Sequence, residues 1–249
     1  MNGWTLMSEN SRLSNFMEHY MNMCEFALDI PKLNEQLKKT QKFEERNLIL
    51  ANIPRKYWKF TIEQIAGDFN SVKNKKNIED LSIIKGYKEK LDKMKEEGIG
   101  LYIQGESGTS KTTLAIIILK QALIQKFRVF FCTSSELIDF VTQGWHNEMF
   151  KIRWQYIVDN VDFLVIDNIA NECSIDSKEK QFLDKLFTNR SNLNLPTILT
   201  SNVKIDDAKN KFGKSLCSLF KESLVTVTLI GKDIRINYEE RNRNLIIND

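Results

Sequence analysis

Cysteine and histidine are scarce and scattered. Cys24, Cys132, Cys173 and Cys217 form no C-x-x-C pair, and His19 and His146 stand near none of them in sequence. That spacing argues against a zinc site and against a disulfide framework, and it fits a reducing compartment. Long apolar runs are missing too: no stretch approaches the ~20 residues that a bilayer-spanning helix needs, and the start of the chain lacks the basic-then-apolar pattern of a secretory signal. Gly3 lies one place too late for N-myristoylation, which needs glycine directly after the initiator. A cytoplasmic protein is expected. Excess charge of one sign is small, with 36 Lys and Arg against 33 Asp and Glu. Bulk charge therefore permits nucleic-acid binding without demanding it, and any such site has to be local.

What is present is enough for one substantial α/β core and a small helical extension, since the 249 residues are 42% hydrophobic. Ser11 to about Leu50 reads as helical, with Leu13, Phe16, Met17, Tyr20, Met21, Met23, Cys24 and Phe26 on one broad face before Pro31 interrupts it. A face so rich in methionine and aromatics suits docking on a partner; packing on the remainder of the chain is the equal alternative. KLNEQLKKTQKFEERN reads as a second, largely polar helix in water. After Ile53-Pro54-Arg55-Lys56-Tyr57-Trp58, the basic run Lys73, Lys75 and Lys76 reads as a solvated loop. A long amphipathic helix follows from about Ile78 to Glu97, ended by Gly98 and Gly100.

The richest stretch is LYIQGESGTSKTTLAIIILKQALI, from Leu101 to Ile124. A short apolar strand, a turn and an apolar pattern at helical spacing make the strand, loop and helix of a triphosphate cradle. The loop residues are Gly105, Glu106, Ser107, Gly108, Thr109, Ser110, Lys111, Thr112 and Thr113. Gly105 and Gly108 let the backbone aim successive N–H groups at one point, and the following helix adds unpaired donors and the positive end of its dipole. Lys111 would reach the β and γ phosphates of ATP, and the Thr112 hydroxyl would help hold Mg2+; Thr113 is the weaker candidate for the metal. Ser110 stands where this pattern expects glycine. If the position needs a positive φ, serine there costs on the order of 1 kcal/mol.

The chain then alternates. Phe127 to Cys132 reads as a strand, and Thr133-Ser134-Ser135-Glu136 as a capping box opening a helix through Val141. Trp145, His146, Lys151, Arg153, Trp154 and Tyr156 mix rings with basic groups. Such a mixture suits stacking and neutralising single-stranded DNA, and a helix packing its tryptophans into the core is the preferred alternative. Phe163-Leu164-Val165-Ile166-Asp167 reads as a strand buried on both faces that ends in a carboxylate, so Asp167 can meet the Mg2+ held by Thr112. Asn168 follows where an acidic neighbour is expected. An amide positions water but takes no proton, so hydrolysis would be slow or would draw on another group such as Glu172. Pro196-Thr197-Ile198-Leu199-Thr200-Ser201-Asn202 is a third strand, with Asn202 placed for the γ phosphate or the attacking water.

Together these stretches resemble the AAA+ ATPases of the DnaC/DnaI helicase-loader and IstB-like group, over roughly residues 53 to 237. IPRKYWKFTIEQI is similar to the lead-in to their ATPase domain, FRVFFCTSSELIDFV to their second strand and helix, FLVIDN to their Walker B, LPTILTSN to their sensor 1 strand and GKDIR to their sensor 2. The resemblance implies a P-loop AAA+ core with a parallel five-stranded sheet of order 5-1-4-3-2 and helices on both faces; the group's C-terminal helical lid is expected to be absent or much reduced, since little chain follows Asn202. It implies an N-terminal helical partner-binding region over 1–52, a linker and lead-in helix over 53–98, and the ATPase core over 99–249. It makes Arg235 a contact to the nucleotide phosphates, and Arg190 matches an arginine that often precedes the sensor 1 strand. Where the group carries the arginines that complete a neighbour's site, this chain reads Gly213-Lys214-Ser215-Leu216-Cys217-Ser218-Leu219-Phe220. An arginine finger is worth about 10³ to 10⁵ in rate, and Lys214 or Lys221 would replace it poorly, lacking the planar fork.

The implied function is an ATP-binding replication accessory protein with slow hydrolysis. Its partners would be a replicative helicase or helicase loader and single-stranded DNA through Lys151 and Arg153, with side-by-side homo-oligomers. An IstB-like regulator of transposition and a non-hydrolysing adaptor or inhibitor of a loader remain open beside it.

Overall fold

The structure is a computed structural model that describes residues 16–19, 21–23, 31–39, 42–63, 75–144, 147–169, 177–230, 243 and 246. Five short apolar runs form one sheet: β1 (Gly100–Gly105), β2 (Val129–Thr133), β3 (Phe163–Asp167), β4 (Thr197–Ser201) and β5 (Leu224–Leu229). All strand pairs are parallel and their order is β2-β3-β4-β1-β5, the order expected from the family resemblance read from the opposite edge. Parallel strands need crossovers, and helices at the faces supply them. Before β1 come α1 (Pro31–Lys39), α2 (Phe43–Leu50), α3 (Lys75–Glu89) and α4 (Leu91–Glu96); the crossovers carry α5 (Lys111–Ile124), α6 (Ser134–Gly144), α7 (Glu148–Asn160), α8 (Ser177–Asn192), α9 (Lys209–Phe212) and α10 (Lys214–Ser223).

The strand period of two sorts side chains into two cores. Leu101, Ile103, Phe131, Phe163, Val165, Ile198 and Val227 pack with Ile84 of α3 and with α5. On the other face Tyr102, Phe130, Leu164, Ile166 and Leu199 pack with Trp154 and Ile157 of α7, Leu186 and Phe187 of α8, and Cys217 and Phe220 of α10. Because α5 is apolar nearly all round, it lies against the sheet with Leu114, Ala115, Ile116, Ile118 and Leu119 inaccessible. The register pairs Thr133 with Asp167 and Gln104 with Ser201, so one end of the sheet collects the polar strand tips.

Several expectations change at the N-terminal side. Phe16 and Met23 are buried, while Met17 and Met21 are 41% and 55% exposed, so the expected apolar face divides between packing and solvent. Leu13, Tyr20, Cys24 and Phe26 lie outside the described residues. The expected polar helix is two: extended Lys42 separates α1 from α2, and α2 buries Ile49 and Leu50. The long helix before β1 starts at Lys75 and breaks at Lys90 (φ −116°), so Lys75 and Lys76 open the helix instead of forming a loop. The chain between α2 and the 3-10 turn Arg55–Tyr57 covers β2's outer edge: the Phe131 amide donates to the Ala51 carbonyl at 2.9 Å, and the Asn52 side-chain amide donates to the Phe131 carbonyl at 3.0 Å. That pairing removes an open sheet edge.

Candidate functional site

The loop between β1 and α5 is shaped by backbone conformations that few side chains tolerate. Gly105 has φ 153°, and a Cβ there would stand 2.3 Å from the Leu229 carbonyl oxygen, so only glycine fits beside β5. Gly108 has φ 77° and Ser110 φ 63°, so serine does occupy a left-handed position. The Thr109 hydroxyl donates to the Glu106 carbonyl at 2.8 Å and ties the turn to itself. At the start of α5, Lys111 is 8% exposed and its ammonium donates to the Gly105 and Glu106 carbonyls at 2.8 and 2.7 Å. Its charge is thus held inside the concave loop, where phosphate oxygens are better acceptors than neutral carbonyls. Glu106 and Ser107 are exposed and Thr113 is half-buried on the first turn of α5.

Three strands meet this loop. The Thr112 hydroxyl donates to Asp167 Oδ1 at 2.7 Å, so the loop and the end of β3 are in direct contact. Asn168 follows in the left-handed region with φ 63°, which asparagine tolerates better than most residues. Its carbonyl accepts from the Ser134 hydroxyl at 3.1 Å. The Asn202 amide, just past β4, donates to the Ser107 hydroxyl at 3.2 Å across the mouth of the loop. Behind Asn202, the Tyr102 hydroxyl donates to the Val203 carbonyl at 2.9 Å, and Gln104 Oε1 accepts from the Ile205 amide at 2.8 Å. The sequence reading missed Tyr102 and Gln104. Their signal was two polar tips at i and i+2 on one strand, which lie on one face.

The capping box at α6 holds: Thr133 and Glu136 exchange hydrogen bonds, amide to Oε2 at 2.8 Å and amide to Oγ1 at 3.1 Å. The basic and aromatic mixture on α7 comes apart. Arg153 is 6% exposed with its guanidinium 5.7 Å from the Phe140 ring centre, and burial pushes its pKa down to about 10. Trp154 stacks on Phe140. Both follow from spacing, because Arg153, Trp154, Ile157 and Val158 share the inner face of α7. Arg153 is therefore not a surface contact for DNA, whereas Lys151 is exposed beside Glu148. Trp145, His146, Glu172 and Arg235 lie outside the described residues.

Arg190 lies at the opposite end of the sheet from the loop, almost wholly buried. Its guanidinium donates to Thr197 Oγ1 and to the Val158, Val161 and Pro196 carbonyls at 2.9 to 3.0 Å. On α10, Lys214 is exposed, and Lys221 is paired with Asp206 at 2.7 Å.

The donors at the loop fit Mg2+ bound with a nucleotide. Among the described residues no three His, Cys, Asp or Glu gather to hold a metal by themselves. A hydroxyl beside one carboxylate instead suits an ion that takes the rest of its ligands from phosphates and water.

Such a loop after β1, an interior strand of this parallel sheet, has the architecture of a P-loop nucleotide-binding core. The chain belongs to the family described as IstB-like ATP binding protein, whose profile matches residues 9–221. Among solved structures, the DnaC helicase loader superposes with a TM-score of 0.61 at 22% identity, over 71% of this chain and all of that one. DnaI gives 0.58 at 17%, over 73% of this chain and 93% of that one. The replication initiator DnaA bound to AMPPCP and single-stranded DNA gives 0.57 at 19%, over 76% of this chain and 56% of that one. No curated protein matches the chain.

Proposed function

We propose that this protein binds ATP with Mg2+ at the loop between β1 and α5 and acts as a replication accessory factor, helping to place a replicative helicase on single-stranded DNA. One observation carries the nucleotide reading: the 2.7 Å bond from Thr112 to Asp167, which brings a metal-binding hydroxyl and a strand-end carboxylate together beside Lys111. In this reading Lys111 binds the β and γ phosphates, Thr112 and Asp167 hold the cation, and Asn202 meets the γ phosphate or the attacking water. Bound Mg2+ would neutralise charge between the phosphates. The amide of Asn168 orients water without taking its proton, so turnover is slow. The DNA and helicase part rests on the fold shared with DnaC, DnaI and DNA-bound DnaA.

A second reading, a nucleotide-held adaptor that does not hydrolyse, is favoured by α10, which offers Lys214 and a paired Lys221 where the group's arginines stand. ATP binding and hydrolysis, with and without single-stranded DNA, beside Lys111→Ala, separates the two. DNA-stimulated turnover that Lys111→Ala abolishes supports the loader; tight binding without turnover supports the adaptor. Absence of binding would reject both.

A further inference from the structure

Thr200 sits near the end of β4, an interior strand buried on every residue, and is itself 1% exposed. Packing alone would be served there by valine, which has the same shape. The hydroxyl instead makes two bonds: it donates to Asp167 Oδ1 at 2.5 Å and accepts from the Asn168 amide at 2.9 Å. Its single proton fixes that direction, since the amide occupies a lone pair. Thr200 therefore grips both sides of the turn that ends β3.

The consequence lies in which oxygen is used. Thr112 and Thr200 both donate to Oδ1, so the rotation of the carboxylate is set from two directions and its second oxygen is left for a cation. The hydrogen bond that the Asn168 amide donates to Thr200 holds the left-handed turn directly after Asp167. Two residues beyond Thr200, Asn202 bonds the loop at Ser107, so one strand end orients the carboxylate and touches the phosphate loop.

We infer that Thr200 is a positioning residue for the magnesium site: it acts through Asp167, setting the carboxylate for a Mg2+-bound nucleoside triphosphate without touching that ligand. This rests on the nucleotide reading above. Buried partners that orient a metal-binding carboxylate typically contribute about 10- to 100-fold in metal affinity.

The test is titration of a fluorescent ATP analogue with and without Mg2+ on the wild type, Thr200→Val and Thr200→Ser, with melting curves alongside. The Mg2+-dependent gain in affinity is expected to fall about 10- to 100-fold in Thr200→Val, with Mg2+-free affinity unchanged and the gain restored in Thr200→Ser. Should Thr200→Val fail to fold, Thr200→Ala takes its place. Hydrogen exchange of the Asn168 amide in nucleotide-free protein, expected to speed up when the hydroxyl is lost, reports the bond independently. A wild type that binds no ATP would sink the function proposed above together with this inference. Binding with an undiminished Mg2+ gain in Thr200→Val, or unchanged exchange at Asn168, overturns this inference alone.

Discussion

The two ends of the sheet use polar groups in opposite ways. At the loop end, the acceptors of Lys111 are its own turn's carbonyls, Asp167 bonds through one oxygen, and Asn202 touches the loop through a single exposed bond. The carbonyls that hold Lys111 are neutral, and phosphate oxygens are better acceptors for its charge. At the other end, the four bonds of Arg190 are all to protein, and Arg128 clasps Asp162 through its backbone amide and guanidinium at 2.8 to 3.0 Å. A group whose bonds are all spent inside the fold has nothing to offer a ligand, and breaking it leaves buried acceptors unpaired. Charge and position in a motif do not separate these cases; satisfaction does.

The largest expected effect is on the sealed end. Arg190→Met should strip hydrogen bonds from three carbonyls and lower stability by about 3–5 kcal/mol, a drop on the order of 10 °C in melting temperature. Nucleotide affinity of the folded fraction should stay put; a lost affinity in fully folded Arg190→Met would break the division between the ends.

Acid tests the same end by another route. His19 packs on Tyr156 with Nδ1 3.2 Å from the hydroxyl, and burial, aided by Arg128, pushes its pKa down from 6.5 to about 4. The unfolded chain then binds the extra proton between those values, so stability is full above about 6.5 and is lost as pH falls towards 4, by at most about 3 kcal/mol. Denaturant melts at pH 7 and 4.5 should show a steeper loss for wild type than for His19→Gln; parallel losses would remove His19 as the cause.

At the loop end the expected change is in binding. Lys111→Ala should weaken ATP by about 10- to 100-fold, the worth of one or two charge-assisted bonds, while the melting temperature shifts little. A large loss of stability with affinity kept would reverse the assignment of the two ends. Smaller still is the exposed pair of Lys221 and Asp206: Lys221→Ala should change stability by less than about 1 kcal/mol, measured by urea melts.

Much of this was legible in the chain. Gly105, Gly108, Lys111 and Thr112 stand in a contiguous strand, loop and helix, and local spacing suffices to place them. The left-handed conformation at Ser110 was readable as a mismatch at one motif position. Arg153 and Arg190 were not readable as interior residues, because a basic side chain on an amphipathic helix enters the core only if rings or carbonyls from other elements receive it. Phe140 receives Arg153, and carbonyls from α7, β3's lead-in and β4's lead-in receive Arg190. The separate bonds that Asp167 draws from Thr112 and Thr200 join residues 55 and 33 positions apart, so no local pattern contains them.

By itself, the amino-acid order determined the alternation of strands and helices, the glycine-containing loop between β1 and α5 and the carboxylate at the end of β3, since each depends on side-chain periodicity and backbone tolerance within a few neighbouring residues. Only the tertiary structure decided which polar groups face a ligand and which are consumed in the fold, because that depends on partners that parallel strand order brings together from distant parts of the chain.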